Sequence, residues 1–292
     1  MTGRHRADSW LAVGFLAPAL IALGTVTLYP ILKVLWMSLE RRVPVFGIEE
    51  FVGLRHYRFL AGDAAFWNAT GVTLAFTLAS VVLEVVLGLG VALALRHQQR
   101  YRAAAIGLLL LPWCLPGVVT ARTWEWVYHP TAGLASRLLG PLAGAETNWL
   151  GDPATALPAL VAADVWRTMP FIALLAYARL VSISPTLYEA AAVDGAGAAA
   201  TFRAITLPLL APVLLVAALF RTLDALRAFD LMFVLTAGGP AGSTETLTVY
   251  AYRNLFQTLQ LGFGSAVAVV VFVLVAVVAA AYLQAQERAE AR

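Results

Sequence analysis

The chain has 292 residues, 61% of them hydrophobic and 13% charged, with a net charge of +3 and a mean hydropathy of +0.79. A soluble domain carries about a quarter charged residues, so the composition argues for a membrane protein. The small, dispersed positive charge argues against a nucleic-acid binder, and the single cysteine, Cys114, leaves no disulfide framework or multi-cysteine metal site.

A helix needs about 20 apolar residues to cross roughly 30 Å of hydrocarbon. Six runs meet that length or come close to it: Leu11 to Leu39, Trp67 to Leu95, Ala103 to Val127, Leu157 to Val181, Ile205 to about Phe220, and Phe263 to Leu283. The first follows Arg4 and Arg6 as a secretory leader would. Its apolar stretch is too long for a leader and lacks a small-x-small cleavage site, so a retained helix is expected. The expectation is an all-α, polytopic membrane helix bundle of about six transmembrane helices. It forms one domain over residues 1–292, with a core over about 67–285.

Arginines orient the spans. Arg96, Arg100 and Arg102 follow the second span with no acid among them, which puts that loop in the cytoplasm. An even number of spans then leaves both termini cytoplasmic, with Arg4 and Arg6 at one end and Arg288 and Arg292 at the other. The outer loop also holds Arg41, Arg42, Arg55 and Arg58, which Glu40, Glu49, Glu50 and Asp63 accompany.

Within the third run, Pro112, Pro116 and Gly117 predict a bent or locally unwound helix, a form tolerated only beside protein or water. Trp124 and Trp126 near its end suit an interfacial belt or a sugar-stacking surface, and Arg122 and Glu125, three apart, suit a local ion pair. Charge inside a span is costly and marks a candidate site. Asp164 and Arg167 share one face of the fourth span and flank Trp166, with Pro170 suggesting a kink, while Glu84 stands alone in the second span as a helix-helix anchor or a protonated acid. The apolar stretch Leu223 to Thr236 is interrupted by Asp224, Arg227 and Asp230, and reads as a broken span or cavity wall. Asp164, Trp166, Arg167, Asp224, Arg227, Asp230 and Trp124 are the candidate substrate-pathway residues.

Between the fourth and fifth spans lies a structured polar loop over about 182–204. Ser184 is a plausible helix cap, Pro185 fits the first helical position, and Gly195 supplies a sharp turn after an alanine-rich helix. Its sequence is Glu189-Ala190-Ala191, Gly195 four residues later, nine residues, then Ile205-x-Leu207-Pro208. That pattern resembles the EAA loop of the permease subunits of bacterial ABC importers, which have the type I importer permease fold. Phe229-Asp230, followed by Leu235-Thr236-Ala237-Gly238-Gly239-Pro240 and by Tyr252 and Phe256, is similar to the MalF/UgpA branch of carbohydrate permeases.

The resemblance implies that Glu189, Ala190, Ala191, Asp194, Gly195, Ile205, Leu207 and Pro208 form a coupling helix and its flank, docked on a cytoplasmic ATPase. It further implies a second, homologous permease subunit, two ATPase copies that bind the ATP and magnesium, and an extracytoplasmic sugar-binding protein. The setting is the bacterial inner membrane. The chain contains no G-x-x-x-x-G-K-[ST] phosphate loop, so no cofactor and no enzymatic activity are expected in it. His5, His56, His97 and His129 offer no metal-ligand spacing. Acids near Arg167 and Arg227 favour a neutral cargo, a disaccharide such as trehalose or maltose, over glycerol phosphate or another small solute. An ion-coupled secondary carrier is the alternative from a different class, supported only by Glu84, Asp164 and Asp224.

Overall fold

A computed structural model describes residues 15–98, 100–143 and 148–290 of the chain. Leu11, at the start of the first predicted run, and the terminal arginines Arg4, Arg6 and Arg292 lie outside the described residues. The chain divides into two compact units, Met1–Asp63 with Ala251–Val270, and Ala64–Tyr250 with Val271–Arg292.

In the first unit, α1 (Phe15–Met37) is long and apolar enough to span a membrane and exposes apolar side chains such as Phe15, Ile21 and Val26. It is followed by a short β-hairpin that the predicted spans do not include. β1 (Glu40–Val43) pairs antiparallel with β2 (Ile48–Phe51), setting Arg41 opposite Glu50 and Arg42 opposite Glu49. The Arg42–Glu49 pair closes to 2.7 Å. The mixed charges of this loop thus face one another across two backbone-paired strands. α2 (Arg55–Gly62) packs His56 and Phe59 edge-on against Phe263 and hydrogen-bonds Tyr57 to Ser38 at 2.7 Å.

The second unit is built on α3 (Ala64–His97) and α7 (Pro153–Ser182). At about 1.5 Å per residue, both exceed what the hydrocarbon layer requires. They meet closely because position 88 is glycine: a Cβ there would lie 3.0 Å from Ile172 and 3.1 Å from the backbone nitrogen of Ala173. Ala92, Ile172, Ala176 and Leu180 continue the seam and receive Leu210, Leu214 and Ala217 from α9 (Ala198–Ala225). Small side chains on facing helices let backbones approach, which is how membrane helices gain packing energy without a hydrophobic driving force. α7 runs unbroken through Pro158 and Pro170, and Asp152 caps its start by accepting from the Ala154 N–H at 2.8 Å.

The third predicted span is two helices, α4 (Arg102–Cys114) and α5 (Gly117–Val127), bent by 100°. Leu115, preceding Pro116, is extended, as a residue before proline prefers. Among the described residues, counting this pair as one span gives six, and without it five helices are long and apolar enough to cross. α6 (Leu134–Ala143) follows. The fifth span is longer than predicted, because α9 continues past Phe220 to carry Arg221 and Asp224.

α8 (Pro185–Val193) is the short helix of the 182–204 loop, with Ser184 accepting from the Thr186 N–H. α9 opens through a π turn at Phe202–Thr206. α10 (Asp230–Thr236) packs on α5 and ends in the Gly-Gly-Pro turn, where Ala237 and Gly238 have φ of 49° and 87°. α11 (Leu247–Tyr252) and α12 (Leu261–Glu290) complete the chain.

Candidate functional site

α3, α7, α9 and the turn after α9 bring together six ionisable side chains in the apolar second unit. Arg221 is the hub. Its Nε donates to Glu84 Oε2 at 2.6 Å and its Nη2 to Glu84 Oε1 at 2.9 Å. Nη2 also donates to Asp164 Oδ2 at 3.0 Å, and Nη1 to Asp224 Oδ2 at 3.3 Å. Thr168 donates to Glu84 Oε1 at 2.7 Å. Arg227 Nη2 lies 3.4 Å from Asp224 Oδ1, and Arg167 Nη2 lies 3.6 Å from Asp164 Oδ1. Three acids therefore alternate with three arginines. Glu84 is 0% exposed, while Arg221 and Asp164 are each 4% exposed. A charge so placed is tolerated only when paired and hydrogen-bonded, which the guanidinium fork provides.

Glu84, expected as a helix-helix anchor or a protonated acid, meets Arg221 of another helix. Its partner is 137 residues away, beyond any local spacing rule. The pairing of Asp164 with Arg167 is present but secondary, since Arg221 approaches the same carboxylate more closely. Asp224–Arg227 and Arg122–Glu125 pair as their spacing predicts, the latter at 2.7 Å.

The network borders two adjoining cavities. One, of about 290 Å³, is lined by Asp164, Arg167, Asp224, Arg227 and Asp230, with Gly117 from the broken helix opposite. The other, of about 370 Å³, shares Arg167, Arg221, Asp224 and Arg227 and adds Trp113 and Phe171, stacked at 6.0 Å. Five of the seven pathway candidates thus meet at one place. The two tryptophans do not line it: Trp124 and Trp166 contact each other at 5.7 Å, and Trp124 also meets Tyr128 at 5.1 Å. Trp126 is exposed. Trp113, near the end of α4, is an indole that does line a cavity.

In the 182–204 loop, Glu189, Ala190, Asp194 and Gly195 are exposed, as are Leu207 and Pro208 beyond it. Ala191 turns inward and Ile205 is half-buried. Gly195 has φ +75°, the left-handed region in which glycine carries little penalty, and open space where a Cβ would point. The Arg96 guanidinium, at the end of α3, lies 4.0 Å over the Tyr188 ring of α8. The arginine-rich loop after α3 and the 182–204 loop accordingly share one end of the unit.

Residues 84–289 match the family model described as binding-protein-dependent transport system inner membrane component. The chain is 42% identical to the trehalose/maltose transport system permease protein MalF of Thermococcus litoralis, covering 91% of this chain and 90% of that protein. It is 38% identical to the sulfoquinovosyl glycerol transport system permease protein SmoG of Agrobacterium fabrum, over 95% and 90% of the two chains. To the trehalose transport system permease protein SugA of Mycobacterium tuberculosis it is 37% identical, over 97% and 91%. In fold it resembles a chain of a bacterial ABC transporter involved in the import of the acidic polysaccharide alginate, with a TM-score of 0.82 at 21% identity and 98% of each chain covered. Helices arranged in the type I importer permease fold, and a family model matching residues 84–289, lead to one assignment. This chain belongs to the inner-membrane permease components of binding-protein-dependent ABC transport systems.

Proposed function

We propose that this chain is one half of the translocation pathway of an ATP-driven importer whose cargo is a neutral disaccharide such as trehalose or maltose. The observation that carries this reading is the cavity pair bordered by alternating acids and arginines. Such a wall offers hydroxyl groups both donors and acceptors while presenting little unpaired positive charge to an anion. Asp230, which makes no ion pair among the described residues, adds an acceptor at the rim. Trp113 and Phe171 supply the apolar face against which a sugar ring packs. The names of the relatives MalF and SugA favour the same cargo class.

In this reading a second, homologous permease completes the pathway, two ATPase copies bind ATP and magnesium, and an extracytoplasmic binding protein delivers the sugar. Both termini are cytoplasmic. The exposed side of α8, with Glu189, Ala190, Asp194 and Gly195, seats on the ATPase, and Ile205, Leu207 and Pro208 start the helix that carries motion into the membrane. ATP and loaded binding protein drive one conformational change because each binds the outward-facing state more tightly.

The test is ATP hydrolysis by the purified complex in lipid, with its binding protein, across a panel of sugars. Stimulation by trehalose or maltose is expected. Silence toward sugars together with a response to glycerol phosphate would overturn the cargo. Failure of any ATPase to copurify would overturn the coupling assignment.

A further inference from the structure

α8 has two sides, and the inner one is built around Tyr188. Three residues before the inward-facing Ala191, Tyr188 makes two separate polar contacts with the bundle. Its ring receives the Arg96 guanidinium at 4.0 Å, and its hydroxyl shares a hydrogen bond of 3.2 Å with that of Thr206, which is buried in the π turn opening α9. It also packs against the cluster formed by Leu180, Ile183 and Leu210. One side chain of the short helix therefore grips both the end of α3 and the start of α9.

Those two helices are tied a second time, deeper in the unit, by the bidentate contact of Arg221 with Glu84. Along α3 the ties at Glu84 and Arg96 are 12 residues apart, about 18 Å; along α9 those at Thr206 and Arg221 are 15 apart, about 22 Å. Two rods of near-equal length are thus cross-braced at both ends, and the deep brace borders the cavities. A packed, hydrogen-bonded frame moves as a body rather than deforming gradually.

The geometry points to Tyr188 as the pivot of the coupling loop: a positioning residue that, with Arg96 and Thr206, delivers displacement of α8 along the α3–α9 frame to the Glu84–Arg221 brace at the cavity. This rests on the coupling role proposed for the loop. The surface signature from Glu189 to Gly195 meets the ATPase, whereas Tyr188 connects that contact to the membrane part.

The test uses the full complex in liposomes with trehalose and its binding protein, reading trehalose moved per ATP hydrolysed and ATPase copurification. Tyr188→Leu keeps apolar packing but removes the ring face and hydroxyl, and Arg96→Gln removes the cation. Each should lower trehalose per ATP fivefold or more while the ATPase still copurifies and hydrolyses ATP. Arg96→Lys, which keeps the cation–ring contact, should retain at least half the wild-type ratio. Tyr188→Phe, which keeps that contact but loses the Thr206 hydrogen bond, should fall between Tyr188→Leu and wild type. A merely structural role would reduce folded complex and hydrolysis together and leave the ratio unchanged. A wild-type ratio in Tyr188→Leu would overturn the pivot alone. Absence of ATPase from the wild-type complex would overturn the coupling assignment and the pivot with it.

Discussion

Removing Arg221 should destabilise the chain more than removing its partner, and removing both should relieve much of the damage. Arg221→Met strips the cation from Glu84, which is fully buried and keeps only the Thr168 hydroxyl as a donor. Breaking a buried ion pair from one side costs about 3–5 kcal/mol, because it leaves an uncompensated charge. Glu84→Met is milder: Arg221 retains Asp164 at 3.0 Å and Asp224 at 3.3 Å, so the loss is that of charge-assisted hydrogen bonds, about 1.5–3 kcal/mol. In the double variant Asp164 still has Arg167 and Asp224 still has Arg227, and no buried charge is orphaned. The combined loss should fall below the sum of the single losses by about 2 kcal/mol or more. Read as the thermal unfolding midpoint of the purified protein, at roughly 2–4 °C per kcal/mol, Arg221→Met should lower it by about 6–20 °C. Additive losses in the double variant would refute the network as the reason these charges are tolerated.

Gly195→Ala should cost only about 1–2 kcal/mol of local strain, since φ is +75° and a Cβ meets nothing, whereas Gly195→Trp should abolish uptake with the complex still assembled. Uptake surviving the tryptophan would separate this turn from coupling. Gly88→Leu should overpack the α3–α7 seam by about 1–3 kcal/mol and lower folded yield, while Gly90→Leu, where a Cβ meets nothing within 4 Å, should be neutral. Comparing detergent-extracted yields of the two checks this. Trp113→Ala should raise the transport KM for trehalose roughly three- to tenfold, the value of a lost aromatic contact, and Trp126→Ala should leave it unchanged. Equal effects would remove Trp113 from the cargo path.

Much of this architecture was legible because membrane helices announce themselves locally. The spans, the proline-broken third run, and the short helix from Ser184 to Gly195 all follow from apolar length, proline and capping chemistry. So do the ion pairs three residues apart, since one helix turn sets their geometry. What stayed hidden depended on which helices meet. Glu84 finds Arg221 across 137 residues, and no periodicity encodes that. Trp113 lines a cavity because α4 sets it against Phe171 of α7, a contact between helices that composition does not encode. The hairpin at Glu40–Phe51 escaped because its strands are four residues long and charged, and cross-strand pairing gives them their form.

The network pairs Glu84, Asp164 and Asp224 with Arg167, Arg221 and Arg227, from the buried Glu84 out to the exposed Arg227, so with every group ionised its charges sum to zero. Moving one elementary charge through the full membrane field is worth about 2.3 kcal/mol per 100 mV. A bundle that rocks with this network intact shifts no net charge with it, and with an uncharged cargo the stroke is electrically silent. Uptake at fixed ATP should therefore hold steady when a potassium diffusion potential is imposed across the liposome, and the importer would run equally well in an energised or a depolarised cell.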